Sequence, residues 1–220
     1  MEIVFSTVSA PMSHHPPAIL VAEARGIDFL NSIATPVDTP VDWLADGEGF
    51  VDWLKQAGLA PAAEIEAIVG RAMPGELDRV ADQARDLREW FRGFVRGHMG
   101  RPLGADALGQ LQPLNRLLER DEAYGRIVSH GHGEHGHLMF EAARRWRSPE
   151  SLLIPLGEAM AQVVVGEDFS HIKACEGASC TLMFADHTRG RARRWCSMAL
   201  CGNRAKQEAF RERRRAQVKG

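Results

Sequence analysis

The four cysteines of the chain all fall in one short stretch, spaced Cys175-x4-Cys180-x15-Cys196-x4-Cys201. Two close pairs separated by about one hairpin suit a tetrahedral dication: each pair places two thiolates on one backbone turn, and the intervening segment brings the two turns together. Two disulfides would also use four cysteines, but they need an oxidising compartment. The N-terminal stretch has no basic region ahead of an apolar run, and no window of about 18 apolar residues occurs, so the sequence reads as a cytoplasmic protein with reduced thiols and no membrane segment. Four unrelated buried cysteines would not be expected to cluster in this way. The spacing therefore predicts one structural Zn(II) ion held by Cys175, Cys180, Cys196 and Cys201, with no open coordination position for catalysis.

Between the pairs, Thr181 to Asp186 and Arg191 to Trp195 can form the two arms of a hairpin around His187 to Gly190. Gly202 and Asn203 offer a helix start, and Arg204 to Arg215 is helix-forming in composition. A cysteine knuckle, a hairpin and a second knuckle entering a helix describe a treble-clef-like zinc module over residues 174–216.

The rest of the chain reads as helix. With 220 residues, 45% hydrophobic and 25% charged, it can bury a full core without a staple. Residues 1–17 read as a mobile arm closed by Pro16 and Pro17. Apolar residues at helical spacing then predict helices over Ala18 to Asn31, Gly47 to Ala57 and a segment opened by Pro61. The longest stripe, after Pro74, runs Leu77, Val80, Ala84, Leu87, Trp90, Phe91, Phe94, Val95. Ala105 to Glu119 is a further helix, kinked at Pro113. Ser148 and Pro149 read as the start of a connecting helix, residues 149–173, that delivers the chain to Cys175. The expected fold class is mainly α: a helical domain over residues 18–148 carrying a small β-hairpin, then the zinc module.

That hairpin contains Ser129-His-Gly-His-Gly-Glu-His-Gly-His-Leu138. A two-residue turn at Gly133 and Glu134 would pair His132 with His135 and His130 with His137, and place all four imidazoles on one face. They form a secondary candidate metal site, ranked below the cysteines, against the alternative of an exposed turn that takes up metal opportunistically.

Residues 175–220 carry eleven Lys/Arg against four Asp/Glu, whereas residues 1–174 carry sixteen against twenty-five. A basic end on an acidic body points to a polyanionic partner. The alternative is a charged face that only keeps the domain soluble; if the partner is a nucleic acid such as DNA, Arg189, Arg191, Arg193, Arg194, Arg204 and Lys206 are the candidate phosphate contacts. Those beside the cysteines can equally donate to thiolates or carbonyls as structural supports. No Gly-rich phosphate loop and no nucleophile elbow occurs, so an enzyme is not expected. A protein-interaction or small-molecule-binding module without DNA binding is the alternative function. Asp28 and Asn31 read as caps or core hydrogen-bonding groups.

The segment from Arg189 to Lys206, with Cys201-Gly202-Asn203-Arg204 at its centre, resembles the CGNR zinc finger, as do the first cysteine pair and Phe184-x-Asp186. The preceding region is similar to the ABATE domain, in Ala24-Arg-Gly-Ile-Asp-Phe-Leu-Asn-Ser32 and Val51-Asp-Trp-Leu-Lys-Gln-Ala-Gly-Leu59. The resemblance implies a bacterial stress-induced transcription regulator: a helical body responsive to a ligand or protein partner, and a zinc-stabilised end that binds DNA. It carries no expectation for the histidines.

Overall fold

The computed structural model describes residues 16–35, 39–131 and 136–218. The expected turn of the histidine stretch at 132–135, with His132 and His135, and most of the N-terminal arm lie outside them. Among the described residues there are seven α-helices and three small antiparallel hairpins, and no helix is long and apolar enough to cross a membrane.

The amphipathic segments fold where their periodicity places them. Helix α2 (Gly47–Ala57) starts where the Asp46 carboxylate accepts from the Gly49 N–H at 2.8 Å and stops at Gly58, whose φ of 65° lies in the left-handed region. Helix α3 (Ala62–Val69) follows Pro61, and the 23-residue α4 (Glu76–His98) buries Val80, Ala84, Phe91, Phe94 and Val95. The expected kink at Pro113 is instead a junction: a 3-10 segment, Ala105–Leu111, passes into α5 (Gln112–Leu118) with the proline in the first turn, where a missing N–H costs nothing.

Two expected helices are shorter than their sequence patterns. Only Arg25–Leu30 of the first forms a helix, α1, and residues 18–24 lie outside it. Their backbone groups are taken by distant partners. The Ala18 N–H donates to Gln56 Oε1 at 2.8 Å, and the Ala22 N–H donates to Asp28 Oδ1 at 2.9 Å. The Ala22 carbonyl accepts from the Ala185 N–H at 3.0 Å. The segment is anchored at its start by Trp43, whose indole N–H donates to the Pro16 carbonyl at 2.7 Å.

The connecting segment likewise does not run as one helix to Lys173. A 3-10 turn (Pro149–Leu153) leads into α6 (Ile154–Gly166), and Glu167 leaves it in extended geometry. Asp168 then caps a short turn that buries Phe169 edge-on against Phe94, 6.0 Å between ring centres. Nor is α6 a spacer: it packs on α1 so closely that a Cβ on Gly26 would come within 2.4 Å of the Ala159 carbonyl oxygen.

The first hairpin joins β1 (Ile33–Ala34) to β2 (Val41–Asp42). There the Arg88 guanidinium, 2% exposed, donates to both Asp42 oxygens at 2.7 and 2.8 Å. Burial alone would raise the Asp42 pKa, but these bonds outweigh it and hold the carboxyl below its ordinary range. The second hairpin, β3 (Ala123–His130) with β4 (His137–Arg144), has the register the sequence gives it, His130 opposite His137. It projects from the body, tied at its base by Arg144, which donates to Asp121 at 2.6 Å and to Glu158 at 2.5 Å.

Candidate metal centre

The cysteines sit on two knuckles held by a frame. Strands β5 (Ile172–Ala174) and β6 (Met183–Ala185) pair antiparallel, and the Cys175 N–H donates to the Leu182 carbonyl at 2.8 Å to close the ladder. The first knuckle, Cys175 to Cys180, is therefore the tip of the β5–β6 hairpin. This corrects the expected pairing of Thr181–Asp186 with Arg191–Trp195. The second stretch is not a strand, because the buried Asp186 carboxylate winds the chain around itself. It accepts from Lys173 Nζ at 2.7 Å, the Thr188 hydroxyl at 2.5 Å and the Arg193 N–H at 2.9 Å. Burial would raise its pKa, but these donors drive it far below the carboxylate range, so it stays charged.

The second knuckle is a capped turn. Ser197 Oγ accepts from the Leu200 N–H at 3.0 Å, and one wide turn, Met198–Gly202, runs directly into α7 (Asn203–Val218). The two knuckles are joined by the Glu176 N–H, which donates to the Arg194 carbonyl at 2.9 Å, and by the Cys196 N–H, which donates to Cys175 Sγ at 3.2 Å. Gly177 is required by this approach, since a Cβ there would stand 3.0 Å from Cys201 Sγ.

The four sulfurs lie within 4.8 Å of one another, with Cys180 to Cys196 at 3.9 Å and Cys196 to Cys201 at 3.6 Å. A regular tetrahedron with Zn–S bonds of about 2.3 Å has edges of about 3.8 Å, which fits, whereas a disulfide needs about 2.05 Å. Cys175, Cys196 and Cys201 are buried. A hydrogen bond from Cys196 lowers the Cys180 thiol to about 5, burial pushes Cys201 up to about 11, and Cys196 is raised by donating to Cys180. Four thiolates can coexist here only around a cation. The donor set, the spacing and the burial fit one structural zinc ion, which contributes folding energy and no open position for chemistry.

The basic residues divide by what they hold. Arg193 donates to the Val21 carbonyl at 2.8 Å, to Glu23 at 2.6 Å and to the Cys196 carbonyl, with its guanidinium 4.2 Å from the Phe184 ring centre. Arg204 donates to Cys201 Sγ at 3.3 Å and to the Leu200 carbonyl at 2.6 Å, partly neutralising a tetrathiolate site of net charge near −2. Arg191 has a φ of 47° and bonds the Asp186 carbonyl. Arg194 donates to Glu176 at 2.6 Å and stays solvent-facing. Arg189 and Lys206 are exposed. His130 and His137 lie on the β3–β4 hairpin and are not part of the cysteine cluster, while His132 and His135 are outside the described residues.

Spacing alone did not disclose the residues that lock the zinc module to the body. The Asn31 side-chain amide donates to the Met183 carbonyl at 2.8 Å and its oxygen accepts from the Met183 N–H at 2.9 Å, as a neighbouring strand would. Thr181 Oγ1 accepts from the Thr35 N–H at 2.9 Å, and His187 Nε2 lies 2.6 Å from Glu167. The sequence signal was Asn31 itself, read as a cap or core hydrogen-bonding group at the end of the helix expected over Ala18 to Asn31.

Two family models match the chain: ABATE, described as "Putative stress-induced transcription regulator", over residues 23–167, and the CGNR zinc finger over residues 171–214. No curated protein matches it at a significant level.

Proposed function

Given that the chain belongs to the ABATE family, with a CGNR zinc finger after the ABATE region, we propose that it is a cytoplasmic, non-enzymatic transcription regulator whose finger binds DNA. The observation that carries this reading is α7. It springs from the second knuckle with Lys206, Arg211, Arg213 and Arg214 exposed, a basic rod of the width a major groove admits. Arg189 and Arg194 add charge beside the knuckles. Arg193 and Arg204 act as supports of the zinc module, because their donors are already engaged.

The body would act as the sensing part. An open groove of about 570 Å³ lies at its seam with the finger, lined in part by Leu20, Val21, Arg25, Asp28 and Arg193. A ligand there would touch the same arginine that holds the finger in place, so its occupancy would bias the finger's position. A second reading, a finger that docks protein, draws on Phe210, which α7 leaves 56% exposed.

Titration of the zinc-loaded chain with duplex DNA across salt separates the two. Neutralising several phosphates predicts a slope of log K against log salt of about −0.9 per phosphate. Absence of binding at low salt defeats the DNA reading and leaves the protein-docking one.

A further inference from the structure

The β3–β4 hairpin is the part of the fold for which neither the zinc module nor the DNA reading has a use. Its two strands pair only with each other among the described residues, and an isolated two-stranded hairpin is at best marginally stable in water. At the last described pair before the turn, two histidines face each other across the strands in register, His130 opposite His137. Their ring centres are 6.2 Å apart and both side chains are exposed.

We propose that His130 and His137 chelate a divalent first-row transition ion, at a second metal site independent of the cysteine cluster. The geometry is close to what chelation needs. Imidazole nitrogens about 2.0–2.1 Å from an ion put two chelating ring centres roughly 5 Å apart. Rotation of two exposed side chains covers the remaining distance without moving the backbone, because cross-strand neighbours already hold their Cβ atoms about 5 Å apart. Neutral imidazoles select zinc, nickel or copper(II) over magnesium or calcium, which prefer oxygen. Two protein ligands leave the other coordination positions to water, so the ion is bound more weakly than by four thiolates and exchanges readily. Bound there, it ties the two strands together at their last described pair.

The test uses the full chain already holding one zinc equivalent, titrated with further zinc(II) by calorimetry and by equilibrium dialysis. One additional equivalent is expected. The pair His130→Ala and His137→Ala weakens it at least about tenfold and leaves the cysteine-bound zinc in place. The companion pair His132→Ala and His135→Ala retains it, which distinguishes a site on the paired strands from binding by any histidine-rich tract. Loading also slows amide exchange at Ser129 and Leu138 in the native chain. A stoichiometry of one in the native chain overturns the proposal, as does a second equivalent that survives in the first pair of substitutions or disappears only in the second.

Discussion

Arg193 and Arg189 stand four positions apart and do different work, which only their surroundings decide. Arg193 is tied to three carbonyls, those of Val21, Trp195 and Cys196, a carboxylate and an aromatic ring, while Arg189 reaches into solvent. Arg193→Gln should therefore cost about 2–3 kcal/mol and lower the melting temperature, because it leaves carbonyls and Glu23 without their donor. Arg189→Gln should leave the melting temperature unchanged and reduce the DNA salt slope by about one. The Arg88–Asp42 pair gives a prediction in pH. Asp42 is held below its ordinary pKa of 3.8, so its contribution is complete above that value and is lost as pH falls through the lower, folded-state value. Denaturant titrations should find Asp42→Asn about 2–3 kcal/mol less stable than the native chain near neutrality. That gap should begin to narrow below about pH 3.8 and close once pH has fallen through the folded-state pKa; a gap independent of pH would mean that the carboxylate charge contributes nothing.

Among the elements, the decisive contact is between α1 and β6. Asn31 uses one side-chain amide to complete the backbone hydrogen bonds of Met183, so Asn31→Ala leaves a buried N–H and a buried carbonyl unpaired and should cost about 2–4 kcal/mol by denaturant titration. Asn31→Asp should cost as much, since it restores only the acceptor. The same seam explains what could be read from the chain beforehand. Helices α2, α3 and α4 were legible because their stripes, caps and breaking glycine or proline lie within a few residues of one another. The zinc ligands were legible because metal chemistry fixes their spacing. Residues 18–24 have the apolar content of a helix, yet Ala18, Ala22 and Val21 bond through their backbone to Gln56, Ala185 and Arg193. No local period encodes partners that distant. The true strand pairing of the finger was hidden for a similar reason: Asp186 collects Lys173, Thr188 and Arg193, and that turn outcompetes the strand that the composition of 191–195 allows.

At the scale of the whole molecule, the zinc module and the body share one core. Leu182, Met183, Phe184 and Ala185 are buried with Phe29, Trp53 and Phe91 in a single apolar cluster, and burial of Phe184 alone is worth about 2–3 kcal/mol. Zinc removal, or Cys196→Ser, should thus unfold the knuckles and α7 and also lower the melting temperature of the remaining helices. Circular dichroism should retain most of its helical signal while the body melts earlier; an unchanged body transition would mean the shared core is not energetically coupled. The seam between segment 16–24, α1 and the finger joins positions 152 and 172 residues apart. On a ribosome adding about 5–20 residues per second, Val21 and Asn31 emerge on the order of ten seconds before the strand and the arginine that complete them. A nascent chain therefore carries one unsealed apolar face until Met183 and Arg193 have emerged, and metal capture at the cysteines becomes the event that seals it.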